Sequence, residues 1–262
     1  MTECVLYEVA DHVATITLNR PERRNALNFE AYDRLEQAFR RAVADPEARC
    51  VIVTGTDPAF CSGDDVREIL AAPRPAAADA SPTVRHRPTP AAMAALECDK
   101  PVIAAVNGPA MGWGMELATY ADIRIASERA IFAELFIKRG LTCDVGGFYR
   151  LPAIVGPARA AELLFTGDPI DAAEAQRVGL VREVVPHETL MPRARALAAR
   201  IAVNPPLALR YMKEGLRRAA YGDPRELGAW AMETIRRLMQ TQDHREGVAS
   251  FLEKRPPVFS GR

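Results

Sequence analysis

The sequence predicts an α/β fold, a sheet covered on both faces, followed by an all-helical C-terminal region. Three observations carry this. Continuous apolar runs closed by glycine occur at 50–55 and 101–108, the form of strands buried on both sides. An apolar period of 3.6 residues marks 28–44, and after Pro186 the same helical period runs to the end. At 262 residues the chain can bury about three quarters of its unfolded surface and needs no disulfide staples.

Taken in order, residues 4–9 and 12–18 alternate around Asp11 and read as two paired strands. In 28–44, Ala31, Leu35, Ala38, Phe39 and Ala42 form one helical stripe, with Asn28 and Glu30 as its start signal. After the strands at 50–55 and 101–108, two further runs at 122–126 and 180–185 read as half-exposed strands. The Pro/Ala-rich stretch 71–90 has little to bury and is expected to be a mobile loop. Helices are predicted at 189–203, 206–220, 225–240 and 244–253, and their apolar stripe could cover a local core or another subunit.

Composition narrows the function. Lys+Arg and Asp+Glu are 34 each, so no global charge draws the chain to nucleic acid or to an anionic membrane, and any polyanionic ligand needs a local patch. Cys4, Cys50, Cys61, Cys98 and Cys143 lie far apart, without metal-ligand spacing, which points to a reducing, cytoplasmic setting and no metal site. The first residues lack an export signal, and no apolar run reaches membrane-spanning length. His12, His86, His187 and His244 show no pairing along the sequence.

Two segments share one build. The run 50–55 leads to Ala59–Glu68 with Gly63 before a helix start, and 101–108 leads to Gly112-Trp113-Gly114 before another. A turn of this kind exposes backbone N–H groups at a helix N-terminus, where negative charge binds. Phosphate-loop and dinucleotide patterns are absent. The remaining readings are an oxyanion hole, which needs two N–H donors from separate segments, and a pair of plain structural turns.

The motifs N-R-P-E-R-R-N-A-L-N (19–28), A-F-C-S-G-D-D-V (59–66), K-P-V-I-A-A-V-N-G-P-A-M-G-W-G-M-E-L-A (100–118), A-D-I-R-I-A (121–126), 140–156 and F-L-E-K-R-P-P-V-F (251–259), in this order and spacing, resemble the crotonase family, the enoyl-CoA hydratase/isomerase superfamily. The resemblance spans nearly the whole chain. It implies a crotonase-like spiral of β-β-α units: a core over 1–200, then a C-terminal helical region over 201–262 used for trimerisation, as a homotrimer or dimer of trimers. It further implies an acyl-CoA thioester substrate, coenzyme A entering only as part of that substrate, whose carbonyl becomes an enolate held by the N–H groups of Asp64 and Trp113. Tryptophan stands where relatives usually have glycine; its bulk could narrow the acyl pocket or cover a subunit contact.

Other roles follow from the same resemblance. Glu116 occupies one of the family's two usual carboxylate positions, although a carboxylate in a first helical turn also complements the helix dipole. The second position, used by hydratases, holds Phe136; Glu134 lies two residues away and is expected to point elsewhere. Eight residues after Phe136, Asp144 matches a catalytic aspartate of dienoyl-CoA and ring-opening isomerases, or alternatively caps the helix beginning near Val145–Gly147. Arg23, Arg24 and Lys254 match cations near the nucleotide, though each could be a solvated surface charge. Ala26, Cys61, Gly63, Asp65, Val66, Gly112 and Phe136 complete the substrate- and CoA-binding set. Double-bond isomerisation by Glu116 and Asp144 is the expected activity, with hydration by Glu116 alone and a non-catalytic acyl-CoA-binding protein as alternatives. A serine hydrolase is disfavoured because G-x-S-x-G is absent.

Overall fold

The computed structural model describes residues 3–71, 89–220 and 222–262. Among the described residues nine strands form two sheets: β1 (Val5–Ala10), β2 (Val13–Leu18), β3 (Cys50–Gly55), β4 (Val102–Val106), β5 (Ala110–Met111), β6 (Ile123–Ser127), β7 (Ile131–Ala133), β8 (Ile170–Asp171) and β9 (Glu183–Val185). The larger sheet has the order β1-β2-β3-β4-β6-β9, and every pair but β1/β2 is parallel. The smaller one is β5-β7-β8. Around them lie α1 (Phe29–Ala44), α2 (Pro90–Glu97), α3 (Trp113–Tyr120), α4 (Leu151–Val155), α5 (Pro157–Thr166) and α6 (Ala172–Arg177), followed by α7 (Leu190–Ala202), α8 (Pro206–Ala219), α9 (Pro224–Leu238) and α10 (Gln242–Glu253).

The continuous apolar runs are continuous because both faces are covered. Successive side chains of a strand point to opposite faces. Val51, Val53, Ala104 and Val106 therefore join the core beneath α1, with Leu35 and Phe39. Cys50, Ile52, Ile103 and Ala105 join the other core, against Leu190, Ala194, Leu197 and Ala198 of α7. Asn28 starts α1 as predicted, its side chain accepting the Ala31 N–H at 3.0 Å.

Some boundaries differ from the sequence reading. The run 101–108 is strand only over Val102–Val106, because the Asn107 side chain is committed to the neighbouring loop. Strand β6 is more buried than its half-polar pattern suggests, since it lies between β4 and β9. The strand expected at 180–185 shrinks to Glu183–Val185, while Leu180 and Val181 are core residues before it. The expected loop at 71–90 falls mostly outside the described residues; 72–88, including His86, are among those not described, and α2 begins at Pro90. His187, unpaired along the sequence, lies between Ser127 Oγ (3.1 Å) and Asp57 Oδ2 (3.0 Å).

The C-terminal helices are tied to the core by cations. Lys213 Nζ donates to the Lys100 carbonyl (2.7 Å) and pairs with Asp122 (2.7 Å), and Arg217 donates to the Cys98 carbonyl (2.6 Å). Met212, Leu216, Met232, Ile235, Met239 and Phe251 remain exposed on this region.

Loops leaving the C-terminal ends of the adjacent strands β3 and β4 are stitched together. Asn107 donates to Asp57 Oδ1 (2.9 Å) and to the Ala59 carbonyl (3.2 Å), and accepts from the Gly55 N–H (3.3 Å). Asn25, 1% exposed and in the left-handed region (φ 55), donates to the carbonyls of Thr56 (2.8 Å) and Ala59 (2.7 Å) and accepts the Arg20 N–H (2.9 Å). Replacing it with alanine strands buried polar groups and forces a disfavoured φ. Asn25→Ala is expected to cost about 3 kcal/mol, read as a lower midpoint in urea unfolding at unchanged slope.

Candidate active site

The site is built where β3 and β4 end side by side. Because the two strands are parallel and adjacent, their following loops leave the same edge of the sheet and converge. Gly63 has φ +84, and a Cβ there would stand 2.7 Å from the Met111 carbonyl oxygen and 3.4 Å from Trp113 N. The two loops are thus in contact at the residue preceding the first expected donor. Among the described residues no acceptor in the protein meets the N–H of Asp64 or of Trp113, the latter being the first residue of α3. Neighbouring N–H groups are engaged: Leu27 donates to the Gly63 carbonyl, Asp65 to that of Leu27, and Gly112 to that of Ala133. Two free donors at the mouth of a helix suit an oxyanion.

Behind them lies Glu116, 0% exposed. Its Oε1 accepts the N–H groups of Asp144 (2.7 Å) and Gly147 (3.0 Å), and its Oε2 accepts the Tyr120 hydroxyl (3.2 Å). Burial pushes this carboxyl up to about 7, against the pull of the two N–H donors. Such a group is equally ready to accept and to release a proton at neutral pH. The turn over it, Gly146–Arg150, can approach only because it begins with two glycines: a Cβ on Gly146 would lie 2.5 Å from Glu116 Cβ, and one on Gly147 2.6 Å from Cys143 Sγ.

A cavity of about 510 Å³ is lined by Phe29, Tyr32, Asp64, Trp113, Phe136 and Asp144, among others. The structure therefore brings Asp144 and both donor residues to one cavity, with Glu116 one hydrogen bond behind Asp144. Asp144 also turns its Oδ1 onto the next N–H, of Val145 (2.7 Å), so part of its expected capping role is real. Trp113 is 3% exposed and packs edge-on against Tyr32 (5.0 Å) and Tyr120 (5.8 Å), which assigns its bulk to the pocket wall of its own chain. The Tyr32 hydroxyl donates to Asp64 Oδ1 (2.6 Å), and burial followed by the Asp64 charge raises its phenol.

A shallower cavity of about 340 Å³ adjoins this one and is lined by Arg23, Ala26, Asp65, Val66, Arg67 and Arg139, among others. Gly63, Gly112 and Phe136 line a narrow cleft of about 40 Å³ beside it, together with Asp64 and Trp113. Arg24 is exposed; its carbonyl accepts the Ser62 N–H, and its side chain lines none of these cavities. Cys61 is fully buried, and burial raises its thiol to about 12; it supports the loop from beneath, bridged to Ala110. Lys254 closes α10 on the surface in a left-handed conformation, away from the cavity walls.

Sequence reasoning missed Tyr32, Tyr120, Arg67 and Arg139. The spacing of Tyr120, four residues after Glu116 on one helix, could have signalled it. Arg139 carries no such signal, since only the turn at 137–139 aims it at the cavity. Glu134, expected to point elsewhere than the site, is buried at 1% and feels the Glu116 charge.

The family model described as enoyl-CoA hydratase/isomerase matches residues 8–262. The chain is 36% identical over 262 residues to the 1,2-epoxyphenylacetyl-CoA isomerase of Escherichia coli, covering 100% of both proteins. It is 36% identical over 260 residues to a crotonyl-CoA hydratase of Syntrophomonas wolfei, covering 98% of both. Its fold matches the crystal structure of an enoyl-CoA hydratase from Bacillus anthracis with a TM-score of 0.90 at 32% identity, over 99% of this chain and 100% of that one.

A methyl at residue 146 must push the 144–147 turn off Glu116. Gly146→Ala is expected to cost about 1–3 kcal/mol of stability, read by thermal unfolding, and to lower turnover more than tenfold by displacing the two N–H donors.

Proposed function

This chain belongs to the enoyl-CoA hydratase/isomerase family of acyl-CoA enzymes, and from that premise we propose that it moves a carbon–carbon double bond within an enoyl- or dienoyl-CoA. The observation that carries this reading is the pairing at one cavity: Asp144 on the wall, its N–H locked on Glu116, and Phe136 at the position where hydratases use a second glutamate.

The chemistry runs through a thioester enolate. One carboxyl accepts the proton on C2 of a 3-enoyl-CoA, and the electron pair spreads onto the thioester oxygen, which the Asp64 and Trp113 N–H groups receive. Each such donor is worth about 3 kcal/mol of transition-state stabilisation. The other carboxyl delivers a proton at C4. The product is the conjugated 2-enoyl-CoA, with no change of mass. One proton has passed from one carboxyl to the other, and exchange with water resets the pair. Arg23, with Arg67 and Arg139 in the same shallow cavity, supplies positive charge suited to the phosphates of coenzyme A. The family's substrates are coenzyme A thioesters, so the carrier enters with the substrate.

Hydration by Glu116 alone is the second reading. The Asp144 Oδ1 already engaged by Val145 favours it, as does the name of the Syntrophomonas relative. Assembly as a trimer or a dimer of trimers belongs to the proposal as well, supported by the exposed apolar residues of the helices in 201–262.

With a medium-chain 3-enoyl-CoA as substrate, new absorbance of the conjugated thioester without a mass change is expected. A product heavier by one water would favour the second reading. Asp144→Asn is expected to lower isomerisation about 100-fold or more; full activity in this variant would remove Asp144 from the mechanism. The pH profile of kcat/KM should rise to a plateau through about 7, where Glu116 gives up its proton to become the base. Glu116→Gln should abolish that rise along with turnover.

A further inference from the structure

Strand β7 ends at Ala133, whose carbonyl accepts the Gly112 N–H at 2.7 Å, so residue 134 emerges against the first turn of α3. The Glu134 side chain is 1% exposed, and among the described residues neither carboxyl oxygen has a hydrogen-bond partner. The next two residues, Leu135 and Phe136, line the cleft beside the oxyanion donors. Glu134 therefore stands immediately behind the cavity wall. Burial, then the Glu116 charge, raises it well above the ordinary carboxylate range. Burial followed by the charges of Glu116 and Glu134 raises the Cys143 thiol to about 12, which places all three groups in one electrostatic neighbourhood.

The two carboxyls differ in their partners. Glu116 has three donors and can carry a charge; Glu134 has none among the described residues, and an isolated carboxylate in a dry interior is prohibitively costly. Glu134 therefore keeps its proton while Glu116 titrates. The groups facing this region are Glu116 and Tyr120 from α3 and Cys143 and Asp144 from the loop before Gly146. The cations nearest in sequence are directed elsewhere: Lys138 pairs with Asp168 (3.1 Å), and Arg139 donates to the Leu135 carbonyl (3.2 Å). An unpartnered buried carboxyl destabilises the fold, so its presence near the proposed base points to a use.

We propose that Glu134 is a positioning residue for Glu116: a proton-bearing carboxyl behind the cavity wall that holds the region at a single negative charge, leaving Glu116 free to cycle between its charged and neutral forms. Were Glu134 ionised too, the second charge would keep Glu116 protonated and remove the base. This rests on the reading of Glu116 as the base.

Glu134→Gln keeps the volume and removes the titration. With Glu134 uncharged near neutrality, the rise of the kcat/KM profile through about 7 for a medium-chain 3-enoyl-CoA should keep its midpoint in the variant. The second readout is Tm against pH. The folded state holds the Glu134 proton above the ordinary value of 4.5, where the unfolded chain releases it, so this group's contribution to stability is present below that pH and lost as pH rises. The Tm of Glu134→Gln relative to wild type should therefore increase from pH 5 to pH 9, and Glu134→Met should follow the same trend. A Tm difference independent of pH would show that Glu134 holds no such proton and overturn the proposal. A midpoint that falls by about one pH unit or more in the variant would show a second charge acting on Glu116 in the wild type and overturn the positioning role. Failure of the premise has its own signature, full turnover by Glu116→Gln, and leaves the Tm series unaffected.

Discussion

The burial of one carboxylate organises this molecule. Glu116 is removed from water inside a helix packed on all sides, which alone would make its charged form untenable. Two N–H groups from the 144–147 turn and one tyrosine hydroxyl return part of what hydration supplied. The balance leaves the group near neutrality, where a proton can go either way. That balance requires the turn to lie directly on the side chain, and hence the two glycines that let it.

The sheet makes such placement reproducible. Strands covered on both faces leave little freedom for register errors, because a one-residue slip would exchange the two cores. Parallel pairing then delivers two loops at one edge, and Asn25 and Asn107 bind those loops to each other through buried carbonyls. The two free N–H groups proposed as oxyanion donors are thus backbone groups whose positions depend on side chains well outside the cavity. Tryptophan at 113 is compatible with this, since the N–H it contributes is independent of its indole, while the indole becomes pocket wall.

Electrostatically the chain is balanced overall and uneven locally. Three arginines gather at the shallow cavity, whereas Asp144 lines the larger one and Glu116 and Glu134 are buried behind the site's walls. A phosphate-bearing carrier and a reacting acyl group would meet opposite fields a short distance apart. Such a division suits a ligand with a charged handle and a reactive end.

Much of this was readable from sequence because it rests on local rules. Continuous apolar runs closed by glycine mark buried strands, the stripe from Ala31 to Ala42 marks α1, Asn28 caps it, and Gly63 and Gly112 to Gly114 mark the paired turns. The motifs in order also marked Glu116 and Asp144. What only the tertiary structure decided depends on groups distant in sequence. The short strands β5, β7 and β8 form because partners lie beside them, not because two or three residues have a period. Tyr32, Arg139 and His187 acquire partners or a cavity through loops that meet only after folding. Glu134 is the sharpest case: its sequence position suggests a carboxylate pointing elsewhere than the site, and the pairing of β5 with β7 sets it against the start of α3 as a buried acid. Sequence periodicity reports which face of an element is apolar, whereas desolvation is set by everything packed around a group, and that exists only in the folded chain.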